Sequence, residues 1–156
     1  MIYVYDTSSF RALQHFYPKI FKTIWQNLDE MVSSGKLTST KEVFAELNNQ
    51  NVSQEILDWA KLNKSIFQTP QPNELSFVAQ IFQVSHFRAL ISKQANLRGT
   101  PVADPFVIAC AKIHNAVVVT EEQFKPNAAK IPNVCQHFGI KCINLAQFME
   151  EQNWTF

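Results

Sequence analysis

Glycine is scarce in this chain: 156 residues hold three, Gly35, Gly99 and Gly139, none near another. A phosphate-cradling loop or a dinucleotide fingerprint needs clustered glycines for tight turns and close backbone approach, so both are excluded. Cysteine is sparse and odd in number. Cys110, Cys135 and Cys142 cannot all pair within one chain, and a reduced, cytoplasmic setting is the expectation. No apolar run approaches the roughly 18 residues of a membrane span. No basic segment leads into an apolar stretch at the start of the sequence, so no secretory signal is expected. The four histidines, His15, His86, His114 and His137, are scattered, and no His-Glu-x-x-His occurs. No Gly-x-Ser-x-Gly elbow exists. Asp6-Thr7-Ser8 lacks the second Asp of aspartate-phosphorylating hydrolases. Cys135-x-His137 with Cys142 lacks a fourth ligand for zinc, and Cys110, in an apolar stretch, reads as core.

One further absence is local. Between Glu74 and Asp104 there is no acidic residue, while Arg88, Lys93 and Arg98 fall in that window. A solvated helix face is one reading, and a rim that contacts phosphates is the other. The whole chain carries only +1, but setting four acids aside as metal ligands leaves the rest at +5. That favours an anionic partner.

What is present suits one domain over residues 1–156. The 46% hydrophobic content, with thirteen Phe, is enough for a bulky core. Apolar periodicity alternates between sheet-like and helix-like segments. Ile2 to Asp6 reads as a strand, and Tyr17 to Val32 as a helix ended at Gly35. Lys36 to Ser39 reads as a second strand, and Thr40 caps a helix to about Asn49. Ile56, Leu57 and Ala60 mark another helix. Ser65 to Gln68 is a weak strand. Leu75 to Leu97 reads as helical, with a break near Ser85-His86. Pro105 suits a first helical position because it lacks an N–H, and that helix runs to about His114. Ala116 to Thr120 is a strand. Val134 to Phe138 is a short helix ended by Gly139, Lys141 to Leu145 a last strand, and Ala146 to Gln152 a last helix. Helices separating strands predict a three-layer α/β/α domain with a mostly parallel sheet of four to five strands.

Four acids stand out within this pattern. Asp6 ends the first strand, and Glu122 follows the apolar run Ala116-Val117-Val118-Val119-Thr120. In open parallel sheets, ligands bind beyond the carboxyl ends of the strands. Asp104 opens its helix, where a capping role competes with a ligand role. Glu46 flanks the stripe Val43-Phe44-Leu47 at roughly 105° from its centre, against roughly 145° for Glu42 at 100° per residue. Glu46 is therefore the one expected to reach inward, and Glu42 to face solvent. Glu121 and Glu122 are adjacent, and Glu122 is preferred. Four gathered carboxylates repel one another unless a cation lies between them. Hard oxygen donors point to Mg²⁺ or Mn²⁺.

These segments resemble PIN-domain motifs in order: Asp6-Thr7-Ser8, Val43-Phe44-Ala45-Glu46-Leu47, Ala103-Asp104-Pro105-Phe106-Val107-Ile108-Ala109 and Val117-Val118-Val119-Thr120-Glu121-Glu122. The likeness spans nearly the whole chain. Lys130-Ile131-Pro132-Asn133-Val134-Cys135 and Cys142-Ile143-Asn144-Leu145 further resemble a bacterial branch of PIN-like proteins. Where the family commonly has Thr-x-Asp, this sequence has Thr120-Glu121-Glu122, one methylene longer. The resemblance implies a metal-dependent endoribonuclease, of the kind that serves as a VapC-like toxin with a cognate antitoxin. It implies Asp6, Glu46, Asp104 and Glu122 as metal ligands and catalytic residues, with Ser8 and Thr120 as supporting hydroxyls. A capping role for Ser8 stays open. RNA as substrate and a homodimer are also implied. A catalytically weak module that binds RNA or a protein is the competing expectation.

Overall fold

The computed structural model describes residues 1–91 and 102–156. Two of the three basic residues singled out above, Lys93 and Arg98, lie outside those residues. Five strands form one sheet: β1 (Tyr3–Tyr5), β2 (Leu37–Thr40), β3 (Phe67–Gln68), β4 (Val117–Val119) and β5 (Cys142–Ile143). All neighbouring pairs are parallel, in the order β3-β2-β1-β4-β5. Val4 lies opposite Thr38 on one side and Val118 on the other.

The described helices are α1 (Thr7–Leu13), α2 (Lys22–Ser33), α3 (Lys41–Asn49), α4 (Gln54–Leu62), α5 (Pro72–Gln83), α6 (Asp104–His114), α7 (Ile131–Phe138) and α8 (Leu145–Glu151). Their ends follow local chemistry. Thr40 and Ser53 accept from backbone N–H groups at the starts of α3 and α4. Asn144 and Gln147 form a capping box on α8. Gly35 follows α2 at φ +73°. There Lys36 N donates to Met31 O and Gly35 N to Val32 O, the paired closure that a left-handed residue permits.

The period-2 alternation of β1 sends Tyr3 and Tyr5 to one face and Val4 to the other. Tyr3 and Tyr5 pack edge-on against Phe148, and Tyr5 also meets Phe10. Phe10 carries the cluster on to Trp59 and Phe67. Helix α6 packs against β1, β2 and β4. Its buried run, Val107 to Ala111, is apolar on all sides, as a helix enclosed by sheet and neighbouring helices must be. Each fully buried side chain of Ile or Phe size contributes about 1.5–3 kcal/mol.

The stripe expected from Tyr17 starts later. Tyr17 and Ile20 are exposed, and the helix begins at Lys22. Before it the chain makes a separate turn, in which Ile20 N and Phe21 N both donate to Tyr17 O. Of the helix expected over Leu75 to Leu97, the described part is helical to Gln83 and a 3₁₀ segment over Ser85–Leu90, and residues 92–97 lie outside the described residues. No helix among the described residues is long and apolar enough to cross a membrane.

Candidate metal centre

Strand order reverses beside β1. The chain steps from β1 to β2 to β3 in one direction, then returns to lay β4 on the other side of β1. Such a switch point opens a crevice at the carboxyl ends of the two diverging strands. Asp6 directly follows β1, and Thr120 directly follows β4. Asp6 N donates to Val119 O at 3.1 Å and holds the two ends together.

Asp6 is buried, at 3% exposure, and dense in hydrogen bonds. Ser8 Oγ lies 2.8 Å from both carboxylate oxygens, Ser9 N donates to Oδ1 at 2.9 Å, and Thr120 Oγ1 donates to Oδ2 at 2.5 Å. The bond from Ser9 caps α1, so Asp6, not Ser8, is its N-cap. Ser8 Oγ in turn accepts from Glu121 N at 2.9 Å. Thr120 Oγ1 accepts from Glu122 N at 3.1 Å. Glu46 reaches in from α3, where Thr7 Oγ1 donates to Oε1 at 2.9 Å and Ala103 N to Oε2 at 3.4 Å. Asp104 sits inside the first turn of α6, whose N-cap is Ala103 with no side-chain cap bond. Its expected competition between cap and ligand is therefore absent: the carboxylate does not cap.

Burial raises the proton affinity of all four acids, and for Asp104, Glu122 and Glu46 the neighbouring acids add to it. Burial pushes Asp104 well above the usual carboxylate range, and Glu122, Asp6 and Glu46 push it further. Burial raises Glu122 as well, with Asp6 adding to it and Lys130 opposing. Glu46 is raised by burial and, more weakly, by Asp6. Asp6 is raised by burial despite the opposing hydrogen bonds from Thr120, Ser9 and Ser8. Without a cation, these groups hold protons that ordinary carboxylates release.

By chemistry the donor set suits a hard dication, although no three of the four acids bring ligand atoms within 4.8 Å of one another. All four groups offer oxygen, and the buried Oε2 of Glu122 has no hydrogen-bond partner among the described residues. A buried carboxylate oxygen left bare is costly unless a cation or proton meets it. Lys130 Nζ lies 3.9 Å from Glu122 Oε1, and nothing in its local sequence singles it out.

Other residues fall differently from expectation. Glu42 is buried, at 4% exposure, with Oε2 unpartnered; helical angle alone missed it, because α3 is covered on more than its apolar stripe. Glu121 is exposed, and its Oε1 accepts from Leu145 N at 2.7 Å, tying β4 to the start of α8. Arg88 is exposed on the 3₁₀ segment, and its Nε donates to Phe82 O. Cys110 is core, as its apolar stretch predicts, but it also belongs to a group unread in the sequence. Glu74, Cys110 and His114 bring ligand atoms within 4.8 Å of one another. The four-residue step from Cys110 to His114 along a helix was the available signal.

Residues 3–156 match the family described as "Domain of unknown function (DUF4411)". No functionally curated protein matches the sequence. Among solved structures, the chain is similar to VapBC2 from Rickettsia felis bound to a DNA fragment from their promoter. That likeness has a TM-score of 0.51 and 13% identity, over 92% of this chain and 98% of that one. It is also similar to FitAcB from Neisseria gonorrhoeae, with a TM-score of 0.51 and 15% identity, over 92% of this chain and 97% of that one. At such identities the likeness is one of fold. By its match over residues 3–156 the chain belongs to the DUF4411 family, and its parallel five-stranded architecture is PIN-like.

Proposed function

We propose that the chain is a single PIN-like domain, residues 1–156, that hydrolyses RNA phosphodiester bonds. In this reading Asp6, Glu46, Asp104 and Glu122 hold Mg²⁺ or Mn²⁺. The observation that supports it most is the meeting of four mutually repelling carboxylates at the switch point between β1 and β4, one with a bare buried oxygen.

A bound dication supplies two things: it offsets phosphate charge and brings a water's pKa toward neutrality. The chain's own groups do the rest. Ser8 and Thr120 fix the carboxylate plane of Asp6, and Thr7 fixes Glu46. Such hydroxyls keep ligand oxygens from rotating away. A carboxylate of this group is suited to accept the attacking water's proton. Lys130, paired with Glu122 at 3.9 Å, would be free to meet a phosphate if Glu122 held the metal. No covalent intermediate is required.

RNA as the substrate, a toxin role, a homodimer and a cytoplasmic setting come from the PIN resemblance. In a toxin pair, the antitoxin would cover the acidic crevice and set an Arg or Lys among the carboxylates, Arg best through its bidentate fork. The pairing of Lys130 with Glu122 supports a site that takes a side-chain cation. Incubating a mixed RNA pool with Mg²⁺ or Mn²⁺ tests the reading, with Asp6→Asn and a chelator as controls. Cleavage lost in both controls supports it; unchanged cleavage by Asp6→Asn ends it.

The same ion pair favours a second reading, an RNA- or protein-binding module with little catalysis. Calorimetric titration with Mn²⁺ separates the two. A folded chain with no Mn²⁺ site in the micromolar to millimolar range favours the binding module.

A further inference from the structure

A second group of ligand-type side chains lies at the opposite end of α6 from Asp104. Cys110 and His114 are four residues apart on that helix and so share one face. Glu74 comes from the first turn of α5, which packs along α6. Ten residues separate Asp104 from His114, which is about 15 Å along the axis at 1.5 Å per residue. This group is therefore separate from the four-acid crevice.

Its spacing is informative. Glu74 Oε2 and His114 Nε2 are 3.8 Å apart. That is beyond a hydrogen bond, which lies at about 2.7–3.2 Å. Two ligands on one tetrahedral ion with bonds of about 2.0–2.1 Å are about 3.3–3.4 Å apart, so the pair needs to close by only about half an ångström. The Cys110 ligand atom completes the triangle within 4.8 Å of both. Glu74 and Cys110 are buried, while the His114 side chain is 34% exposed and leaves an approach from solvent. Glu74 Oε2 also accepts from Gln71 N at 2.8 Å, which fixes its carboxylate. A ligating carboxylate held in this way is what metal sites use to set ligand direction.

We propose that Glu74, Cys110 and His114 form a zinc site, with a fourth position open to water, that pins the start of α5 to the last turns of α6. The thiolate and imidazole select a borderline ion such as Zn²⁺ over Mg²⁺ or Mn²⁺, which favour the all-oxygen crevice. On binding, the metal–Sγ bond forms and the Cys110 thiol proton leaves to solvent. The role is structural, and it stands whether or not the crevice cleaves RNA.

Co²⁺ is the probe, added to the full chain after chelator treatment. The expected result is one equivalent with the absorption of a tetrahedral ion and a thiolate-to-cobalt charge-transfer band, bleached by Zn²⁺. Cys110→Ser removes the band. His114→Ala, at a partly exposed position that leaves the core intact, weakens Co²⁺ binding by at least about tenfold. Asp104→Asn, in the other site, leaves the band unchanged. Absence of a thiolate band in the folded wild type overturns the proposal. So does a band that survives Cys110→Ser, or one that keeps its affinity in His114→Ala.

Discussion

Thr120 Oγ1 donates to Asp6 Oδ2 at 2.5 Å across 114 positions of sequence. The same oxygen accepts from Glu122 N at 3.1 Å. One hydroxyl thus links an acid at the end of β1 to the backbone of an acid beyond β4. Replacing Thr120 by Val keeps the shape and removes both bonds. Unfolding in urea should show a loss of about 1–3 kcal/mol for the stranded buried groups. Mn²⁺ affinity should fall about 10–100-fold, as for lost partners of metal ligands. Unchanged Mn²⁺ affinity in a folded Thr120→Val protein would count against Asp6 and Glu122 as ligands.

Stability without metal should depend on pH through Asp104. Its folded proton affinity lies well above the ordinary value near 3.8, so between those two limits the folded chain holds more protons than the unfolded one. Stability then falls as pH rises from about 4 through the raised value, and the loss is complete above it. Asp104→Asn should flatten that fall and raise the melting temperature of the metal-free protein at neutral pH. Mn²⁺ should stabilise the wild type and have little effect on the variant. Melting curves across pH, with and without Mn²⁺, read both effects; a steeper fall in Asp104→Asn would sink the assignment.

Lys130 offers a test of phosphate contact. It is exposed and pairs with Glu122 at 3.9 Å. If it meets RNA when the metal occupies the site, Lys130→Met should weaken RNA binding and lower the slope of log affinity against log salt by about 0.7, the value for one single-strand phosphate. Filter binding over a salt series measures this. An unchanged slope means the side chain serves only Glu122.

Gly35 gives a control remote from the chemistry. It sits at φ +73° just beyond α2, and a Cβ there would meet nothing within 4 Å. Gly35→Ala should therefore cost only the left-handed backbone term, about 1–2 kcal/mol, measured by urea unfolding. RNA cleavage at a temperature where the variant is folded should match the wild type. A much larger loss would mean that the turn after α2 holds more than its own hydrogen bonds.

Much of the site was legible because its residues lie at ends of elements that short-range pattern reveals. The apolar runs before Asp6 and Glu122 mark strands whose carboxyl ends coincide in any parallel sheet. Glu46 was found from helical angle. Glu42 was not, because its burial is set by what packs around α3. Lys130 was invisible for a similar reason: nothing local distinguishes it from other lysines until the connection after β4 returns it to Glu122. Ser8 illustrates a finer ambiguity. Asp6 and Ser8 are both good capping residues, and which of them caps α1 is decided by the turn out of β1, where Asp6 accepts from Ser9 N.

By itself the sequence determined the alternation of strands and helices, their parallel arrangement and the absence of any glycine-built phosphate loop, and it offered the four acids as candidates. Periodicity, capping and composition act over a few residues, and they are written in residue order. Only the tertiary structure decided that β4 returns to the far side of β1, which makes the switch point. It also decided that Thr120 holds Asp6, and that Glu74 meets Cys110 and His114 between two packed helices. Those relations depend on which buried surfaces fit together across long separations, and burial and charge repulsion have no sequence-local signature.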